Sequence, residues 1–102
     1  MDIYERLASS TGFDWDGGNV AKNWETHGVS LAECEQVFFN APLVAAADAR
    51  HSEAEPRFFV LGQTDAGRHL FVALTLRGSL VRPISTRDMS RKERAIYSGY
   101  AA

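Results

Sequence analysis

Between Arg57 and Arg87 the chain offers three successive runs of strand composition, 57–63, 69–77 and 79–87, separated by Asp65-Ala66-Gly67 and by Gly78. Their β-branched and aromatic residues suit a pleated, half-buried surface, and connections this short join antiparallel neighbours. The spacing therefore predicts an antiparallel meander that the rest of the chain must cover. With 102 residues, 45% of them apolar, there is length for one small cored domain and none for a second.

Upstream, Phe13-Asp14-Trp15 alternates apolar and polar before Asp16 and two glycines, which predicts a short strand whose last Asp caps a helix over 18–27. Val20, Trp24 and His27 recur there at helical spacing, and Gly28 supplies a left-handed stop. Ser30-Leu31-Ala32-Glu33 is a capping box opening a second helix, with Leu31, Cys34, Val37 and Phe38 on one side and an end near Asn40 and Pro42. Residues 43–47 read as a strand and 48–56 as a polar loop. A second capping box, Ser90-Arg91-Lys92-Glu93, starts a C-terminal helix with Ile96 and Tyr97 available to the sheet. Residues 1–10 have no clear period, although Ile3, Tyr4 and Leu7 could form a short helical face, and are expected as a tail before a single domain over 11–102. The expected class is α+β: a mostly antiparallel sheet with two early helices and one late helix. Trp15, Trp24, Phe38, Phe39, Phe58, Phe59 and Phe71 are expected in the core rather than as a base-stacking platform.

The longest apolar run, 43–47, has five residues, far short of the roughly twenty of a membrane helix. The start MDIYERLASS carries acids where a signal peptide has a basic region, so a cytoplasmic protein without a membrane partner is expected. Cys34, the one cysteine, has no internal disulfide partner, and no Cys/His spacing resembles a zinc site. Glycine-rich phosphate loops, G-x-S-x-G and H-E-x-x-H are absent, which disfavours nucleotide hydrolases and zinc peptidases; neither cofactor nor metal is expected. The net charge of −2 hides an asymmetry, because residues 1–56 carry −7 and residues 57–102 carry +5. Arg77, Arg82, Arg87, Arg91, Lys92 and Arg94 lie within eighteen residues, as an anion-binding surface or as a solvated strand and helix face.

The polar segment 48–57 concentrates histidine, arginine, serine and carboxylates in a loop entering a strand. Histidine as a residue type titrates near neutrality, so His51 could move a proton, and Arg57 could hold a phosphate oxygen with two donors. The alternative is a polar loop whose His51 and Glu53 bind only backbone groups. His27 suits a helix C-terminus as a cation, and His69, next to Arg68 at a turn, is assigned no role. Arg82 and Arg87, five apart, would point to opposite faces of a regular strand, but Pro83 cannot donate a ladder hydrogen bond. The strand is then at an edge or bulged there, and a bulge could bring both arginines to one surface. Asp14 and Asp16 flank Trp15 as turn or capping groups, with a magnesium role the lesser reading.

Taken in order and spacing, several pieces resemble the BrnT family of bacterial type II toxins: Phe13-Asp14-Trp15-Asp16; Lys22 through His27-Gly28-Val29-Ser30; Val37-Phe38-Phe39; and Asp48 through Arg50-His51-Ser52 with Glu53, Glu55 and Arg57. Further along come the strand ending at Gly62, Thr75 through Arg77-Gly78, and Arg82 through Ile84-Ser85 and Arg87, followed by Glu93 and Tyr97. The resemblance implies a RelE-like fold, metal-independent RNA cleavage that inhibits translation, and neutralisation by a BrnA-type antitoxin. That antitoxin carries a ribbon-helix-helix part, so operator DNA is reached only through it, with two toxins expected per antitoxin dimer. RNA brings its own nucleophile, the 2′-hydroxyl, so a metal-free site must deprotonate it, stabilise the phosphorane and protonate the leaving oxygen. On this reading Arg57, Arg82 and Arg87 bind phosphate, His51 or Glu53 is the base, and Tyr97 is a donor or stacking group. Leu76, Pro83 and Asp88 depart from the family pattern by lowering polar or basic character near the presumed RNA face, and Asp88 could pair with Arg87. They carry the alternative of a degenerate homologue, an antitoxin-binding module in promoter autorepression. A third class, a small-molecule-binding α+β domain, requires an apolar cavity.

Overall fold

The computed structural model describes residues 2–51 and 55–101. Asp2 accepts the Glu5 N–H at 2.8 Å and so caps a first helix, α1 (Ile3–Ala8), in the segment expected as a tail. Asp16 caps α2 (Gly17–His27), which stops at Gly28 with φ +62°. The Ser30–Glu33 box opens α3 (Leu31–Val37), and the Ser90–Glu93 box opens α4 (Arg91–Ala101). The strands are β1 (Gly12–Phe13), β2 (Val44–Ala47), β3 (Arg57–Gln63), β4 (His69–Arg77) and β5 (Leu80–Asp88). The fold is α+β.

The five strands form one sheet in the order β1-β5-β4-β3-β2. The meander of β3, β4 and β5 is antiparallel as expected, β2 pairs antiparallel with β3, and β1 joins the far edge in parallel, Gly12 opposite Leu80 and Phe13 opposite Val81. That pairing is too distant in sequence for local pattern to reveal.

Alternation along the strands divides the side chains between two faces. On one, Val60, Val72, Leu74 and Val81 pack with Val29, Cys34 and Val37 of the α2–α3 segment, all nearly inaccessible. The two layers meet so closely that a Cβ on Gly62 of β3 would lie 2.5 Å from Val37 Cγ1. A polar seam crosses the contact: Asn23 Oδ1 accepts the Thr86 N–H at 3.0 Å, and the Thr86 hydroxyl donates to Cys34 Sγ at 3.2 Å. Burial pushes the Cys34 thiol up to about 12.

Because Asn23 takes the inward position of α2, Trp24 is turned outward and 61% exposed, and Phe39, just after α3, is 78% exposed. Both aromatics were expected inside. Among the described residues, the opposite sheet face is covered at one end, where Tyr97 of α4 and Met89 pack on Val44, Leu61 and Phe71. The tyrosine of α1 fastens the β2 edge, Tyr4 Oη accepting the Ala45 N–H at 2.9 Å.

Candidate active face

Register carries the arginines to that second face. Ala73 pairs with Ser85 and Leu74 with Pro83, so Ile84 is an extra residue in β5 and the proline falls at a bulge. Arg82 then lies opposite Thr75, and Thr75 opposite Arg57, forming one cross-strand row of Arg57, Thr75 and Arg82. Two strand spacings place the outer Cα atoms about 10 Å apart. Arg87, opposite Phe71, points to the same face. The bulge does what the sequence suggested it could.

Most of these guanidinium groups hold carboxylates. Arg82, largely buried, donates through Nη1 to Asp14 at 3.1 Å and through Nη2 to Asp16 at 3.3 Å. The two carboxylates weighed as magnesium ligands thus bracket an arginine, and they draw its head toward β1. Arg87 grips Glu93 with both Nη atoms at 2.7 and 3.0 Å, while its Cζ stands 4.1 Å from the centre of the Phe71 ring. The Arg87 hydrogen bond holds the Glu93 carboxyl below its ordinary range. Arg77 meets Glu55 at 3.3 Å. Arg57 opens β3 at the end where the Asp48 N–H donates to its carbonyl at 2.8 Å.

The Asp88 carboxylate does not pair with Arg87. It accepts Arg68 Nε and Nη2 at 2.8 and 3.1 Å, and that bond holds it below the usual carboxylate range. Arg68 also donates to Glu33 and to the His27 and Gly28 carbonyls, tying the β3–β4 turn to the end of α2 and the start of α3. Sequence reading gave Arg68 no part, since its partners converge only in the folded chain. The pairs Arg68–Glu33, Arg77–Glu55 and Arg82 with Asp14 and Asp16 join the two halves of the chain, which accounts for part of their opposite charge.

Tyr97 is separated from the surface residues. Its ring is 1% exposed, and its hydroxyl donates to the Pro42 carbonyl at 2.7 Å. A role as surface donor or stacking group gives way to one as the core anchor of α4, and burial raises its pKa. His51 ends a single 3-10 turn (Ala49–His51) that packs against β3, while Glu53 lies outside the described residues. His69 abuts the Tyr97 ring, centroids 5.2 Å apart. A groove of about 710 Å³ runs along the face between the sheet and α4, and a hollow of about 580 Å³ lies between α1 and β1.

The sequence model of the family described as "Ribonuclease toxin, BrnT, of type II toxin-antitoxin system" matches residues 15–93. The chain belongs to this family of ribonuclease toxins. The matched span includes Arg57, Arg82, Arg87 and Glu93 and stops before Tyr97. Among solved structures the chain is similar to the 1.1 Å crystal structure of the Brucella abortus ribonuclease toxin BrnT. The two are 21% identical with a TM-score of 0.57, over 80% of this chain and 100% of that one, a likeness of fold. No curated protein matches the chain.

Proposed function

We propose that the protein is a metal-independent endoribonuclease toxin that inhibits translation, and that Arg57, Arg82 and Arg87 bind its RNA on the open sheet face. The observation that carries this reading is the row of Arg57, Thr75 and Arg82, with Arg87 further along the same face. The guanidinium forks of Arg57 and Arg82 hold the oxygens of a phosphorane while the RNA 2′-hydroxyl attacks, and Arg87, its fork on Glu93, contributes charge and a flat face. Asp14 and Asp16 fix the Arg82 head, so that less order must be gained when phosphate arrives. His51 or Glu53 serves as base.

The degenerate alternative depended on Leu76, Pro83 and Asp88 weakening the RNA face. All three register on the helix-covered side, Leu76 opposite Val81, Pro83 opposite Leu74 and Asp88 opposite Leu70, so that argument loses its premise. The antitoxin is proposed to be a BrnA-type ribbon-helix-helix protein, two toxins per antitoxin dimer, laying an acidic or amphipathic segment across β5 and α4. The test is cleavage of a labelled single-stranded RNA by purified protein in EDTA. Cleavage with 2′,3′-cyclic phosphate ends is expected; loss of cleavage in EDTA and recovery with magnesium would overturn the mechanism.

A further inference from the structure

The Phe59 and Phe71 rings, opposite in neither row but adjacent on the open face, stack with centroids 5.6 Å apart and planes 21° from parallel. Both line the groove beside α4. Arg87 extends the stack over Phe71, and since its fork is held by Glu93, what it offers there is a flat cationic surface. The other wall is a helical stripe of Lys92, Ile96 and Tyr100, each four residues from the next. Ile96 is 46% and Tyr100 62% exposed, although Tyr97 between them is buried. Helix α4 thus anchors itself with one tyrosine and leaves another at the mouth of a largely apolar groove, whose charged lining is Arg50, Arg87 and Lys92 with the carboxylates Asp48 and Glu93.

We propose that this groove holds an unpaired nucleobase of the RNA, stacked with Tyr100, while Lys92 attracts the adjoining phosphate. The proposal rests on the ribonuclease reading and extends it to the form of the substrate. Stacking suits such a site because every base has a π face, and only an unpaired base is free to enter. The position fits: the Phe71–Arg87 row is four strand residues, about 14 Å, from the row of Arg57 and Arg82, so one extended strand can meet both. An amphipathic protein helix is the rival occupant; the stacked rings, the guanidinium over Phe71 and continuity with the arginine row favour RNA.

The experiment measures anisotropy of a fluorescent 2′-O-methyl hexanucleotide, which lacks the nucleophile, together with cleavage kinetics on the corresponding RNA. Tyr100 is exposed, so Tyr100→Ala should fold. It is expected to weaken binding and raise KM about tenfold, with kcat within about twofold, and Tyr100→Trp should restore both. Duplex of the same sequence should bind more weakly than the single strand to the unsubstituted protein. Unchanged hexanucleotide affinity in Tyr100→Ala, or equal affinity for duplex, overturns the proposal. So does loss of antitoxin capture by Tyr100→Ala with RNA binding intact, which makes the groove a protein-docking surface. If Arg57→Lys lowers kcat while Tyr100→Ala changes nothing, the ribonuclease reading survives and the groove proposal falls. If no RNA is cleaved but hexanucleotide binding depends on Tyr100, the groove proposal holds and the catalytic reading falls.

Discussion

The Tyr97 hydroxyl donates to the Pro42 carbonyl from inside the core, so its chemistry is internal. Tyr97→Phe removes one buried donor without changing shape, and the expected cost is about 1 kcal/mol. For a domain of this size that is a drop in Tm of about 4–8 °C, with kcat for RNA cleavage unchanged. A thermal melt beside a cleavage assay checks it; an unchanged Tm with a reduced kcat would put the hydroxyl back into the reaction. At this scale the sequence showed which residues carry charge and not which partners they find. Asp88 was visible as an acid beside Arg87, but β alternation sends the two side chains to opposite faces, and Arg68 arrives from the neighbouring turn.

Strand composition and capping boxes made most elements legible, and Pro83 announced the bulge that turns Arg82 and Arg87 to one side. Helix α1 was not legible. Six residues cannot hold a helix alone, and this one depends on the Asp2 cap and on Tyr4 reaching the β2 edge. Trp24 was misplaced because i, i+4 spacing marks a helical stripe without saying whether that stripe or its neighbour meets the sheet. Asn23 won the inward position through its bond to Thr86. A close approach between elements lies where α3 ends over β3. Gly62→Ala would set a methyl 2.5 Å from Val37 Cγ1 and 3.3 Å from the Val37 carbonyl. Helix and strand must separate, at an expected cost of about 1–3 kcal/mol. A lower urea midpoint is the expected result, and an unchanged midpoint would mean that the layers have room to spare.

Across the whole molecule, carboxylates held by arginine and backbone donors make stability sensitive to acid. Among the described residues, three carboxyls lie below their ordinary values: Glu93 through its hydrogen bonds with Arg87, Asp88 through those with Arg68, and Glu33 through the Ser30 backbone and Arg68. A carboxyl depressed in the folded state binds protons more weakly there than in the unfolded chain. Its contribution is therefore fully present above the unfolded value and lost as pH falls through the folded one. The urea midpoint should hold from about pH 7 to 5 and decline from about pH 5 toward 3. Glu93→Gln should decline less steeply, and added salt should lessen the contribution of the exposed Asp88 pair. A midpoint independent of pH below 5 would show that these pairs add nothing to folding.

Among these properties the family and the arginine face were readable from sequence, because order and spacing survive folding unchanged. The central claim is that Arg57 and Arg82 stabilise a phosphorane rather than merely attract RNA, and single-turnover cleavage in EDTA by Arg57→Lys and Arg82→Lys tests it most directly. Lysine keeps the charge and loses the planar fork. The expected result is a fall in rate of about a hundredfold or more for each, roughly 3 kcal/mol, with affinity for a 2′-O-methyl oligonucleotide changed only a few-fold. Lysine variants that cleave at nearly the original rate would contradict the account and reduce the arginine face to an electrostatic attractor.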